Sequence, residues 1–488
     1  MIEIVIGIDL GTQGVRCLAV NSAGTVLSTV EQHIKPSTPD LPDGWLEQDA
    51  NDWWHATSEC LRSLMMKLPL ESRVVGLCVD STSGTILPID SNGEPLHAAL
   101  MYNDSRSTGY VKQVREAAGE LESELGYAFN ASFALPKIIW LQHECPQIHA
   151  QVKRYVHAAD FIAGKLCGIY GISDFINALK TGYDLINNKW PAFIEDQLGL
   201  ATSLLPTVIA PGQPIGSVTP LAHDETGLPV GAAVIAGVTD GTAAQIASGA
   251  VEPGAWNTSL GTTLVIKGIT RQILRDPQQR IYSHRHPEGW WMPGGASNTG
   301  CEWIVRQYAN ADLRQMDAIA QSQFPTSLVR YPLARTGERF PFLHPTATGF
   351  ALDASGTSAN SDHAEYYAAG LEGTAMLERL AYETLMEIGA PVGEQIHVTG
   401  GGSKSSIWLT VRASLLHRQL IRPQTSETAM GAALLAASGV WYPDLSSAVH
   451  AMVLPDVQVE PDPNLVSAYD EKYAIFCETL AARGYLVC

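Results

Sequence analysis

The stretch GIDLGTQGVRCLAVNSAG, residues 7–24, decides how the chain is read. An apolar run that starts at Ile4 ends in Asp9, the segment Gly11-Thr12-Gln13-Gly14 breaks it, and Val15–Asn21 and Thr25–Glu31 follow across the turn Asn21-Ser22-Ala23-Gly24. Apolar runs of this length punctuated by Gly and Asn predict a β-meander. A tight glycine turn after a strand leaves backbone N–H groups free and removes side-chain bulk, so it can wrap phosphate oxygens. A carboxylate at the strand end, here Asp9, can hold Mg²⁺ directly or through water. Taken alone, an Asp in that place also serves as a plain turn former.

Working outward, Val74–Asp80 and Thr85–Asp90 are two further strand candidates. Between the strand groups lie Gly44-Trp45-Leu46-Glu47-Gln48-Asp49 and a helical pattern with Trp54, Leu61, Met65 and Leu68 on one face, capped by Asp49 or Asp52. Residues 110–210 are mostly helical in pattern, as in Pro136–Glu144 and Ala158–Gly168, and close at Pro206 and the Pro211–Pro214 cluster. The segment Ala236-Gly237-Val238-Thr239-Asp240-Gly241-Thr242 then echoes Ile6–Thr12, with Asp, Gly and Thr at the end of an apolar strand. A strand pair follows at Trp256–Leu260 and Thr263–Lys267. The echo predicts an α/β protein of two duplicated domains with a cleft between them, 1–235 and 236–488. Later, Ile396–Thr399 runs into Gly400-Gly401-Gly402-Ser403 and a helix with Ile407, Val411 and Leu415 at four-residue spacing. Another helix is expected from Ser426, as its cap, to Gly439 as its C′ residue. The tail Pro455–Cys488 reads as a loop followed by a helix.

Composition narrows the function classes. The chain has 488 residues, 45% hydrophobic and 17% charged, which is enough for more than one domain and gives no sign of disorder. Fifty acidic residues stand against 31 basic ones, for a net charge of −19. A nucleic-acid binder needs Lys and Arg to neutralise phosphates, so no nucleic-acid partner is expected. No two of the eight cysteines form a C-x-x-C or zinc-ligand spacing, and reduced thiols in a cytoplasmic protein are expected. His284 and His286 read as loop histidines rather than a metal pair. The opening MIEIVIGIDLGT lacks the basic region and cleavage site of a signal peptide, and the longest apolar stretches, such as Gly431–Val440, fall short of a membrane span.

Several clusters can carry chemistry. Asp240, across the expected cleft from a phosphate-binding turn, suits a general base that takes a proton from a hydroxyl, and it can also cap the helix that begins near Gly241. Ser259-Leu260-Gly261-Thr262-Thr263 is a glycine hairpin with hydroxyls suited to a γ-phosphate. Gly400–Gly402 let a flat ring or a ribose approach the backbone with a helix N-terminus behind. The run is neither G-x-G-x-x-G nor G-x-x-x-x-G-K-[ST], which counts against Rossmann and P-loop readings. Asp80-Ser81-Thr82-Ser83-Gly84 and Tyr102-Asn103-Asp104-Ser105-Arg106 could present hydroxyl, amide and carboxylate groups to a polyol, or form Asx turns and surface loops.

In combination these segments resemble the FGGY carbohydrate kinases, which are built on the actin-like (ribonuclease H-like) ATPase fold. The resemblance runs from Ile4 to about Gly439 and includes GIDLGTQGVRCLAVNSAG, GWLEQDANDWW, YNDSR, SLGTT, GGGSKSSIW and ETAMGAALLAASG in family order. AAGLEGTAMLERLAYE looks like the family's second signature and ALPKIIWLQHE like the first, with Ala134 where Pro, Ser or Thr is usual. The resemblance implies a sugar-binding first domain and an ATP-binding second one. It implies Asp9 and Asp240 as catalytic residues, with Asp9 organising Mg²⁺ and phosphate and Asp240 as the base. Thr82, Ser83, Asn103 and Asp104, with Asp240, would meet the sugar. Gly11, Thr12, Gln13, Gly261 and Thr262 would line the ATP phosphates, and Gly400, Gly401, Ser405 and Trp408 would hold the adenosine.

For the acceptor, glycerol kinases place Arg-Glu where this chain has Ser83-Gly84, and xylulose kinases typically carry Gln-Met-His at Thr82-Ser83-Gly84. The segment DSTSGT with YNDSR, and the later RTGERFPFLHP, look like the D-ribulose kinase branch. D-Ribulose, converted to D-ribulose 5-phosphate, is therefore the expected substrate, and D-xylulose or another polyol the alternative. A chaperone ATPase or actin-like filament protein shares the Asp-Gly-Thr opening, but the chain has no room for a peptide-binding domain and lid. The resemblance leaves monomer or homodimer open.

Overall fold

The computed structural model describes residues 1–35, 40–353, 355–357 and 363–486, so Cys488 lies outside the described residues. The chain forms two compact units. One takes residues 1–249, 284–289 and 425–454, and the other 250–283, 290–424 and 455–488.

The first unit is built on a six-stranded sheet. The meander read from the opening residues is present as β1 (Ile2–Leu10), β2 (Gly14–Asn21) and β3 (Val26–His33), each antiparallel to the next. The sheet continues through β4 (Ser72–Ser81), β5 (Pro214–Ser217) and β6 (Ala233–Thr239) in the order β5-β6-β4-β1-β2-β3. β4 runs parallel to β1 and β6 parallel to β4. These central strands read as continuous apolar runs because helices cover both faces. Helix α1 (Ala50–Lys67) starts at Asp49, whose side chain accepts from the Asn51 N–H. Its buried face is Trp53, Ala56, Cys60, Leu61 and Leu64. Trp54 and Met65, expected on that face, are only half-buried, because a stripe at three- and four-residue spacing runs one position earlier. Helix α2 (Ala158–Cys167) ends on Gly168 in the left-handed conformation. Helix α3 (Asp240–Ala247) follows β6 directly.

The second unit repeats the plan in a seven-stranded sheet. Its strands are β7 (Trp256–Leu260), β8 (Leu264–Gly268), β9 (Tyr282–Arg285), β10 (Trp291–Ser297), β11 (Gln395–Thr399), β12 (Gln419–Pro423) and β13 (Pro455–Val459), in the order β9-β10-β8-β7-β11-β12-β13. β7-β8-β10 is an antiparallel meander, and β11 and β12 extend β7 in parallel, as β4 and β6 extend β1. The duplication is real, but its register corrects the echo. Ala233–Thr239 is a strand of the first sheet, and the true counterpart of β1 is β7. The local pattern of an apolar strand ending in Asp-Gly-Thr cannot say which sheet the strand joins.

The core of the second unit gathers Trp256, Trp303, Tyr331, Trp408 and Tyr469 around helices α4 (His363–Glu387) and α5 (Ser406–Leu416). Helix α6 (Thr428–Val440) belongs to the first unit and lies on β1, where a Cβ on Gly7 would come within 1.7 Å of the Ala429 carbonyl oxygen. Two expectations at α6 need correction. Its cap position is Glu427, not Ser426, and Gly439 lies inside the helix. That glycine is required by close packing, since a Cβ there would meet the Gly212 carbonyl oxygen at 3.0 Å. The tail is a strand, β13, before its helix α7 (Pro463–Ala482). Among the described residues all seven cysteines are free, and no helix is long and apolar enough to cross a membrane.

Candidate active site

Three carboxylates stand at the C-terminal ends of three neighbouring parallel strands. Asp9 of β1 is opposite Asp80 of β4, and Asp80 is opposite Val238 of β6, two positions before Asp240. In an open α/β sheet this edge is where ligands bind. Asp240 is the first residue of α3, and its carboxylate accepts the Gly241 N–H at 2.6 Å. Asp9 is half-buried and accepts from the Thr428 hydroxyl at the start of α6. Asp80 is fully buried, and as a carboxylate it has no hydrogen-bond partner among the described residues. Burial pushes its pKa well above the ordinary carboxylate value, and the charges of Asp9 and Asp240 push it further. With a proton it can donate to Asp9.

The turn after β1 closes through the Gly11 N–H to the Gly14 carbonyl at 2.9 Å. Gln48 braces it from behind: its amide donates to the Thr12 carbonyl at 2.7 Å and accepts from the Trp53 indole at 2.8 Å. Thr12 is half-buried and Gln13 exposed. Asp9, Thr12, Gln13, Arg16, Tyr102 and Asn103 line one cavity of about 670 Å³. The residues proposed to meet a sugar are thus brought close in part. Asn103 opens on this cavity, and Tyr102 N donates to Thr85 Oγ1, which shares a hydrogen bond with Thr82 Oγ1 at 3.0 Å. Ser83 Oγ is buried with no partner among the described residues. Asp104 differs: it is buried and engaged by Arg106 and by the Leu46 N–H at 2.6 Å. Arg106 also pairs with Glu47 and lies 3.9 Å over the Trp45 ring. This ties GWLEQD to YNDSR, so Asp104 shapes the loop rather than offering an open carboxylate. Lys137 lies under the same loop, with Nζ donating to the Ala131 carbonyl at 2.6 Å, and burial lowers its pKa to about 7. Another cavity of this unit, about 640 Å³, is lined by Lys153, Arg154, Lys189, Trp190 and Ser203; it gathers cations, an indole and hydroxyls, and no carboxylate lines it.

In the second unit the expected phosphate hairpin and the glycine run meet. Gly261 N donates to the Thr263 carbonyl at 3.0 Å in the turn between β7 and β8, and Thr262 is exposed at its tip. Gly400, at the end of β11, has φ +81°, and a Cβ there would meet the Leu260 carbonyl oxygen at 2.7 Å. Only glycine fits such a position. Gly401 has open space around its Cβ direction, as close ligand approach requires. Ser405 caps α5, accepting from the Trp408 N–H at 3.2 Å. Trp408 is 2% exposed, and its indole donates to the Leu371 carbonyl. The adenosine contact expected of Trp408 is therefore not offered: the ring is core beneath the glycine run.

The sequence does not point to Thr85, Gln48 or Thr428, and it offers Asp80 only as part of the polar cluster Asp80–Gly84. That Asp80 stands beside Asp9 follows from sheet order, whereas Thr428 carries no local signal. Among the described residues no group of three or more His, Cys, Asp or Glu is arranged to enclose a metal ion. A Mg²⁺ that comes with a nucleotide needs less, since one or two carboxylates with phosphate oxygens and water complete its shell. Asp9, at the cavity wall, fits that donor set.

The chain matches known proteins over most of its length. Residues 4–247 match the FGGY family of carbohydrate kinases, N-terminal domain, and residues 256–440 match its C-terminal domain. The chain is 26% identical to a xylulose kinase of Staphylococcus epidermidis, covering 97% of this chain and 96% of that one. It is 26% identical to a probable L-xylulose kinase of Pasteurella multocida, over 96% of each. The crystal structure of xylulose kinase from Rhodospirillum rubrum superposes with a TM-score of 0.85 at 25% identity, covering 98% of both chains.

Proposed function

Because this chain belongs to the FGGY family of carbohydrate kinases, and is thus a sugar kinase that uses ATP with Mg²⁺, we propose that its acceptor is a ketopentose, phosphorylated at a terminal hydroxyl. The observation that carries the reading is the placement of Asp240 at the strand edge it shares with Asp9 and Asp80. Asp240 takes the proton of the sugar hydroxyl as its oxygen bonds to the γ-phosphorus, and the bond from that phosphorus to the β,γ-bridging oxygen breaks to release ADP. Thr82, Ser83 and Asn103 hold the sugar in the first unit, with Asp104 setting the loop. Gly11, Thr12 and Gln13 meet phosphate there. Gly261, Thr262, Gly400 and Gly401 hold the nucleotide in the second unit, with Ser405 fixing the helix behind them. Bound through Asp9, Mg²⁺ would neutralise charge on the transferring phosphoryl group. The use of ATP as donor supports a cytoplasmic location.

The names of the relatives, over nearly the whole length of each chain, support xylulose as the acceptor, and we take the D form. D-Ribulose is the second reading, favoured by one observation: Thr82-Ser83-Gly84 stand where xylulose kinases typically carry Gln-Met-His, leaving small hydroxyls on the loop. The two sugars differ only in configuration at C3, so one or two side chains suffice to choose between them. ADP release measured with D-xylulose, D-ribulose, L-xylulose, gluconate and glycerol tests the proposal. Turnover is expected with a ketopentose and little with the others. ATP turnover stimulated by unfolded peptide and by no sugar would overturn it.

A further inference from the structure

We infer that Glu338 is the positioning residue for the Gly261–Thr263 hairpin, setting the height of the turn that meets the ATP phosphates; this rests on the nucleotide role proposed for that hairpin. Glu338 is 2% exposed, an unusual place for a carboxylate with no cation on it among the described residues. Its charge is met instead by hydrogen bonds from Ser297 Oγ at 2.8 Å, Asn298 N at 2.6 Å, Thr299 Oγ1 at 2.9 Å, Tyr331 OH at 2.9 Å and Arg339 N at 2.9 Å. Three consecutive residues, Ser297–Thr299, are thereby held by one side chain. The Asn298 amide adds a bond to the Gly337 carbonyl at 2.9 Å.

What these residues do next points to function. Ser297 ends β10 and pairs with Leu264, the residue after the hairpin. Gly300 follows Thr299 and lies directly against the turn: a Cβ on it would meet the Gly261 carbonyl oxygen at 2.7 Å and the Thr262 carbonyl oxygen at 2.6 Å. Cys301 N donates to the Gly261 carbonyl at 2.7 Å. The hairpin therefore rests on a platform whose own position is dictated by Glu338. A buried carboxylate that orders two backbone N–H groups and three hydroxyls is costly to assemble unless the segment it orders must be exact. Phosphate recognition by a turn demands such exactness, since displacement by about 1 Å can cost a hundredfold in rate.

The test is calorimetric titration of the intact chain with ATP and with adenosine, each in the presence of Mg²⁺. In Glu338→Gln the amide nitrogen cannot accept from the donors on its side, so the platform shifts. ATP affinity is expected to fall about tenfold while adenosine affinity stays within about twofold, because only the phosphate turn moves. Thr299→Val, which removes a single donor, is expected to weaken ATP in the same direction by less, and it carries the comparison if Glu338→Gln does not fold. Equal weakening of ATP and adenosine would mean general loss of structure and would overturn the assignment, as would wild-type affinity for ATP in both variants. A wild-type chain that binds no ATP would instead overturn the nucleotide role of the hairpin, and with it this inference.

Discussion

The hydroxyl of Thr428 donates to the carboxylate of Asp9 across a sequence separation of 419 residues. The contact exists because α6 lies on β1 at Gly7, so the helix start reaches the strand end. Fixing one carboxylate oxygen leaves the other for the phosphate and metal proposed to bind there. Thr428→Val keeps the shape and removes the donor. Its kcat is expected to fall about tenfold, with KM for the sugar and the melting temperature nearly unchanged, as loss of one hydrogen bond to a charged group would produce. Thr428→Ser should recover most of the rate. Steady-state kinetics at saturating Mg²⁺ check this, and a Val variant with wild-type kcat would remove Thr428 from the site.

Asp240 is assigned as the base. Asp240→Asn preserves volume and can still accept the Gly241 N–H through its amide oxygen, so α3 should start as before. Sugar phosphorylation is expected to drop by about 10²–10⁴-fold, the usual contribution of a positioned base. ATP binding by calorimetry should be retained. Near-native turnover of the purified variant would reassign the proton acceptor.

The parts of this site visible in the sequence are those whose signal is local. Asp9 with its glycine turn, the Gly261 hairpin and the Gly400 run each combine a strand end with residues that permit close backbone approach. The pairing of Asp80 with Asp9 and the role of Thr428 escaped because both depend on which elements lie side by side, and neither residue is near Asp9 in sequence. The same ignorance of sheet order made Ala233–Thr239 look like the opening of a second half, when it completes the first sheet beside β4. Trp408 illustrates the opposite failure. Its spacing to Val411 and Leu415 is that of a buried helical stripe, and the structure buries its ring.

Beneath the glycine run, α5 is tied to α4 by a buried pair. Arg412 Nε donates to Glu378 at 2.7 Å and Nη2 at 2.9 Å, with both side chains fully inaccessible. Removing one partner strands a charge in a low-dielectric interior. Glu378→Ala is expected to lose roughly 3–5 kcal/mol in urea unfolding of the second unit's transition. Glu378→Leu with Arg412→Met, which removes both charges, should recover much of that loss. A single variant as stable as the wild type would show that water reaches the pair.

Lys137 offers a pH-dependent test. Burial holds its pKa near 7, against an ordinary value of 10.5, with the Lys180 charge adding to the effect. Its Nζ donates to the carbonyls of Ala131 at 2.6 Å and Phe133 at 3.2 Å, which a neutral amine can still do. Between the two values the unfolded chain binds a proton that the folded chain does not, so stability rises with pH across that window. The contribution of Lys137 is complete above the unfolded value and is lost as the pH falls through about 7. Lys137→Met cannot titrate and leaves the carbonyls unmet. The stability advantage of the wild type over Lys137→Met should therefore be largest at alkaline pH and shrink towards neutrality, as read by urea unfolding at a series of pH values. An advantage independent of pH would mean that Lys137 stays charged in the folded chain, and that the loop beneath Tyr102 is wetter than its packing indicates.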